Sequence, residues 1–158
     1  MATYNRTVTG GGTVGHPSNA AVPYVVTSPV WDTADGGTGG DVVQLIDVPA
    51  DTMIVAGCLE VLEARGNGQI TMDIGFTGGD VDCFIDGSVV AAGFTPFLEA
   101  AVGASGANAR MLTSADTIDC LILDGGSSGE SALRFRIHVV MVDVSVNPVE
   151  SATVSTGT

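Results

Sequence analysis

The stretch GQITMDIGFTGGDVDCFIDG, Gly68 to Gly87, decides the fold class. Ile70, Met72, Ile74 and Phe76 alternate with Gln69, Thr71, Asp73 and Gly75, the period-two pattern of a strand with one buried face. Gly78-Gly79 then marks a turn into Asp80-Val81-Asp82-Cys83-Phe84-Ile85-Asp86-Gly87, a second short strand flanked by acids and glycine, so the pair reads as a β-hairpin. Composition extends this to the whole chain. Twenty-two glycines among 158 residues, with many valines, threonines and alanines, favour strands and turns over long helices. A length of 158 residues suits one domain with a core of its own.

Outward from the hairpin, strands are expected at Asp41–Val48, Thr52–Ala64, Thr117–Asp124 and Ser131–Val146. Gly57 suggests a bulge in the second of these. Its end, Leu59–Ala64, admits a helical reading that the β-branched residues upstream oppose, and Glu60 and Glu63 do not fit one alternating face. In the last strand Leu133, Phe135, Ile137, Val139 and Met141 alternate with Arg134, Arg136 and His138; then the phase inverts, as where a strand bulges or changes layer. Pro29 makes Pro23–Trp31 an edge strand or extended lead-in. Thr95-Pro96-Phe97-Leu98-Glu99-Ala100-Ala101 carries the signals of a short helix: a capping threonine, proline at the first turn and an acid near the positive end.

The expected architecture is an all-β, antiparallel β-sandwich over residues 23–147, with an N-terminal arm at 1–22 and a polar C-terminal tail at 148–158. The arm, MATYNRTVTGGGTVGHPSNAAV, has a strand-like start at Tyr4–Val8 and then glycines. It cannot bury a face alone, so it is either a disordered terminus or an extended segment ordered by a neighbour. Tyr4 and Arg6 are residue types that anchor interfaces. Arg134 and Arg136 hold two of the five basic residues on one strand face, suited to an acidic loop, a neighbouring subunit or solvent.

Chemistry is sparse. The net charge of -13, from 18 acids and five arginines with no lysine, repels phosphate backbones and argues against a nucleic-acid partner. No apolar run approaches the roughly 18 residues of a membrane span, and no basic-then-apolar leader is present. Cys58, Cys83 and Cys120 are odd in number and sit in apolar runs, which fits buried filler in a reducing compartment rather than a disulfide frame or zinc site. His16 and His138 have no sequence neighbours that would complete a nucleophilic triad, and without lysine no phosphate-binding loop exists. Asp80, Asp82 and Asp86 are weak candidates for an open calcium site; Phe84 at a ligand position and Ala91 in place of the closing glutamate exclude an EF-hand. No cofactor is expected, and no enzymatic role.

The order of these features, with a glycine-rich arm, then DVVQLIDVPADTMIVAGCLEV, the hairpin ITMDIGFTGGDVDCFIDG and the terminal strand LRFRIHVVMVDV, resembles small structural proteins of tailed bacteriophages. The resemblance implies a virion protein, a capsid decoration or cement protein with a jelly-roll-like sandwich, a homotrimer bound to the major capsid protein on the head surface, made in the host cytoplasm. Two alternatives stand beside it: a head-fibre or tail component, and a calcium-dependent carbohydrate-binding module in which Asp80, Asp82 and Asp86 hold the ion and Trp31 or Tyr24 meets a sugar. The scarcity of aromatic residues, 5%, counts against the latter.

Overall fold

A computed structural model describes residues 3–9, 23–32, 39–64, 70–76, 79–89, 92–97, 110–124 and 133–145. Eleven strands run through them: β1 Thr3–Thr9, β2 Pro23–Thr27, β3 Trp31–Asp32, β4 Val42–Val48, β5 Thr52–Glu63, β6 Thr71–Gly75, β7 Ile85–Val89, β8 Gly93–Pro96, β9 Arg110–Leu112, β10 Asp116–Asp124 and β11 Arg134–Asp143. No helix occurs among the described residues.

Two sheets form, ordered β1-β4-β10-β6-β7 and β2-β11-β5-β8, with β3 continuing the β2 side of β11 and β9 the β8 side of β5. Counting β2, β4, β5, β6, β7, β8, β10 and β11 as first to eighth, one sheet runs first-eighth-third-sixth and the other second-seventh-fourth-fifth. That alternation between layers is the two-Greek-key topology of a jelly roll. All pairings are antiparallel except one: β1 lies parallel to β4 at the sheet edge, with a register shift between Asn5 and Val8. The strand expected at Tyr4–Val8 thus has a place on the chain's own sheet; residues 10–22 and 146–158 lie outside the described residues.

The core fills the space between the sheets. Ile70, Met72, Ile74 and Phe76 are all buried, as their alternation requires, facing Phe135, Ile137, Val139 and Met141 from the other layer. Phe84 stacks on Phe97 with centroids 4.7 Å apart and meets Phe76 edge-on at 5.3 Å. Cys83 and Cys120 are buried filler, Cys120 Sγ lying 3.7 Å from Met72 Sδ, and burial pushes the Cys120 thiol far up. Cys58 differs, being only half-buried.

Several sequence expectations shift. The hairpin exists, but its second strand begins at Ile85 rather than Asp80, because residues 79–84 fold back over Gly75 as a turn. Phe76 N–H donates to Asp80 C=O at 2.9 Å and Phe84 N–H to Ile74 C=O at 2.8 Å, closing that turn. Thr95-Pro96 is strand β8, not a helix start: Phe97 N–H donates to Gly57 C=O and its ring enters the core, which lays the segment along β5. Proline is tolerated there because the strand is an edge. The rest of the expected helix, 98–101, lies outside the described residues. Leu59–Glu63 is strand, and the bulge in β5 falls between Ile54 and Ala56, not at Gly57. It sits opposite Val140 and Met141, where β11 keeps its phase, Val139 and Met141 facing the core and Val140 and Val142 the outer face, so the expected inversion in β11 does not occur and the extra residue lies in β5.

Pro29 divides β2 from β3, and Ser28 repairs the break. Its N–H donates to Ile137 C=O at 3.0 Å, its Oγ accepts from Ile137 N–H at 3.0 Å, and its hydroxyl donates to Pro29 C=O. Since Ile137 is fully buried, Ser28→Ala leaves its N–H without this acceptor and is expected to cost about 1–3 kcal/mol. A urea midpoint that falls at unchanged slope checks it; an unmoved midpoint contradicts it.

Candidate functional site

Register assigns the outer face of the β2-β11-β5-β8 sheet row by row. Asp32, Arg134 and Glu63 form one row; Arg136, Glu60 and Phe94 the next; then Thr27, His138, Cys58 and Pro96. Beyond these the face turns apolar, with Val25, Val140 and Ala56, then Pro23, Val142, Met53 and Met111. The second register shift in β5, at Leu62, explains why Glu60 and Glu63, three apart, both reach this face.

The charged rows are knit together. Glu60 Oε2 accepts from Arg136 Nε at 2.5 Å and from His138 Nε2 at 2.8 Å, and Arg134 Nε lies 3.8 Å from Asp32 Oδ2. A carboxylate only accepts, so the imidazole donates from Nε2 and its Nδ1, 2.9 Å from Thr27 Oγ1, faces the threonine hydroxyl. Hydrogen bonds from Arg136 first and His138 second hold the Glu60 carboxyl below its ordinary value. A carboxyl depressed by folding stabilises above its unfolded value, and that contribution is lost as pH falls through the folded one. Acidification below about pH 4 is therefore expected to lower the melting temperature of the natural protein more than that of Glu60→Gln. Equal falls across pH 6 to 3 would contradict the link.

Thr27, His138 and Glu60 have the hydroxyl–imidazole–carboxylate order of a nucleophilic triad, which sequence reading did not find because Thr27 and His138 lie 111 residues apart. Their setting is different. Glu60 is shared with Arg136 as an ion-pair partner, and the three side chains stand in one line on a sheet face, His138 and Glu60 on strands paired on both sides and Thr27 at the end of the edge strand β2. The geometry fits a hydrogen-bonded tie across three strands.

The structure brings Arg134 and Arg136 together but does not bring Tyr4 and Arg6 to them, since β1 lies at the edge of the other sheet. Asp80 and Asp82 lie in the turn over Gly75 and Asp86 in β7; among the described residues no group of three His, Cys, Asp or Glu side chains is placed to hold a metal ion. Trp31 is 1% exposed, which leaves its indole no face for a sugar. Tyr24 packs half-buried against the core, and burial raises its phenol above the ordinary value against the opposing hydrogen bond from Thr52.

The other sheet contrasts in charge. Its strands β4, β6, β7 and β10 carry six aspartates, and the one basic residue of the sheet is Arg6 on the edge strand β1. The molecule is thus a jelly-roll β-sandwich with one acidic sheet and one sheet whose outer face is ion-paired at one end and apolar at the other. No family model matches the sequence, and no curated protein matches it. Among solved structures, the fold is similar to a chain of the capsid asymmetric unit of cyanophage Pam1, with TM-score 0.61 and 13% identity over 77% of this chain and 85% of that one. It is also similar to a chain of the capsid of Ralstonia phage GP4, with TM-score 0.59 and 16% identity over 79% and 87%. At these identities the likeness is one of fold.

Proposed function

We propose that this chain is a non-enzymatic structural protein of a phage virion, a decoration or cement protein that binds the outside of the head as an oligomer and stabilises the shell. The observation that carries the reading is the jelly roll shared with chains of two phage capsid structures over more than three quarters of this chain. The partner is the major capsid protein, with a homotrimer as the binding unit and the head surface as the location. The strong acidity suits an outer surface kept soluble and away from packaged nucleic acid.

The mechanism is additive. A sandwich supplies the rigid body, and the N-terminal arm, whose strand β1 with Tyr4 and Arg6 is paired to β4 along one side, adds contacts to a neighbour or to the shell beneath through the main-chain groups of its outer edge. Repetition over a symmetric lattice converts modest single contacts into durable attachment. Removal of residues 1–22, which takes away the edge strand β1 but none of the eight jelly-roll strands, is expected to leave those eight folded by circular dichroism while shell-bound protein in co-sedimentation falls by about tenfold or more. Full shell occupancy without the arm would remove it from the mechanism, and absence of binding by the intact chain would overturn the decoration reading.

A further inference from the structure

Resting on that oligomeric reading, we infer that the copy-to-copy contact is made by the outer face of the β2-β11-β5-β8 sheet, and that its occupant is a second copy of this chain.

Charge decides which surface can serve. Copies of a chain with net charge -13 repel one another, and the repulsion is greatest where acids are uncompensated. On the β1-β4-β10-β6-β7 sheet six aspartates, two of them the buried Asp73 and Asp119, stand against a single basic residue, Arg6 on the edge strand β1. The opposite outer face sets Arg134 and Arg136 against Asp32, Glu60 and Glu63, a net of -1 with His138 neutral, and both arginines lie in ion pairs within the chain. Copies that turn this face toward a common threefold axis bring only about -1 each together and leave these pairs intact.

The apolar residues lie on the same face. Phe94 is 67% exposed, Val25 65% and Met111 57%, and register puts all three on it, whereas among the described residues Leu123, at 44%, is the one strongly exposed large apolar side chain on the acidic sheet. A large exposed aromatic is costly in an isolated chain and typical at the centre of a contact. Four strands at about 4.8 Å spacing, each up to about ten residues long, present roughly 600 Å² per copy, at the low end of specific interfaces. The association is accordingly concentration-dependent. With charge already balanced, it holds or tightens as salt rises; a contact between these arginines and a neighbour's acidic sheet would loosen.

The test is analytical ultracentrifugation of the full chain and of Val25→Asp, Phe94→Asp and Leu123→Asp, over a range of protein concentrations at low and at about 0.5 M salt, with thermal melts alongside. An uncompensated acid at Val25 or Phe94 is expected to weaken association by about 30-fold or more, with melts close to the parent, while Leu123→Asp associates normally. Should either variant melt early, Met111→Asp on β9 supplies the same comparison. Association unchanged by the substitutions, or loosened by salt, would overturn this face while leaving shell decoration standing. A monomeric parent whose binding to shells is lost in Val25→Asp and Phe94→Asp would also overturn it, by making the shell rather than a second copy the occupant. Loss of shell binding by the parent itself would overturn the reading beneath.

Discussion

Gly75→Ala is expected to lower stability by about 3–5 kcal/mol, a large part of the roughly 5–15 kcal/mol that holds a domain of this kind together. A Cβ at Gly75 would sit 2.5 Å from the Val81 carbonyl carbon and closer still to the Asp80 carbonyl oxygen. These are backbone atoms of the turn between β6 and β7. They cannot retreat without lengthening the Phe76–Asp80 and Phe84–Ile74 hydrogen bonds, which fix Cys83 and Phe84 in the core. Denaturant unfolding measures the loss; a change below about 1 kcal/mol would mean that the turn yields freely.

Gly57→Ala ranks second, at about 2–4 kcal/mol. Its new methyl group would lie 2.9 Å from Phe97 Cζ and nearer to two other ring carbons, on the inner face of β5 where Phe97 stacks on Phe84. The ring can avoid it only by leaving the stack. The mechanism has its own signature: in a Phe97→Ala background the same glycine substitution should cost little, so the pair must be strongly non-additive. Additive costs would place the fault in the strand backbone instead.

Much of this fold is legible in the chain because a half-buried strand imposes its period on local sequence. Ile70, Met72, Ile74 and Phe76, and Phe135 through Met141, announce their faces without reference to any partner. Pairing is different in kind. Nothing local says that β11 lies between β2 and β5, or that β10 separates β4 from β6, because those choices are set by closing the sandwich around one core. The misread helix at Thr95 shows the same limit: genuine capping signals were overruled by Phe97, whose burial ties the segment to β5.

The surface was legible in part. Arg134 and Arg136 stood out as two scarce cations on one face, but their partners Asp32 and Glu60 come from distant strands. One trace of the site was present in the sequence, the three-residue spacing of Glu60 and Glu63 within an alternating strand, which is the imprint of the bulge at Leu62. Gly57 signals a bulge in the sequence and plays a different part in the fold. Its lack of a side chain makes room for Phe97 rather than bending the strand. His138 and Thr27 gave no signal, since a hydrogen bond across 111 residues leaves no local pattern.

The central claim, that this jelly roll attaches to the outside of a phage head, is tested most directly by imaging DNA-free heads mixed with the purified chain. Symmetric density of the size of this sandwich on the outer shell surface, absent from untreated heads, is the result the account predicts. Heads that remain bare at saturating protein, or density confined to the neck or tail, would contradict it.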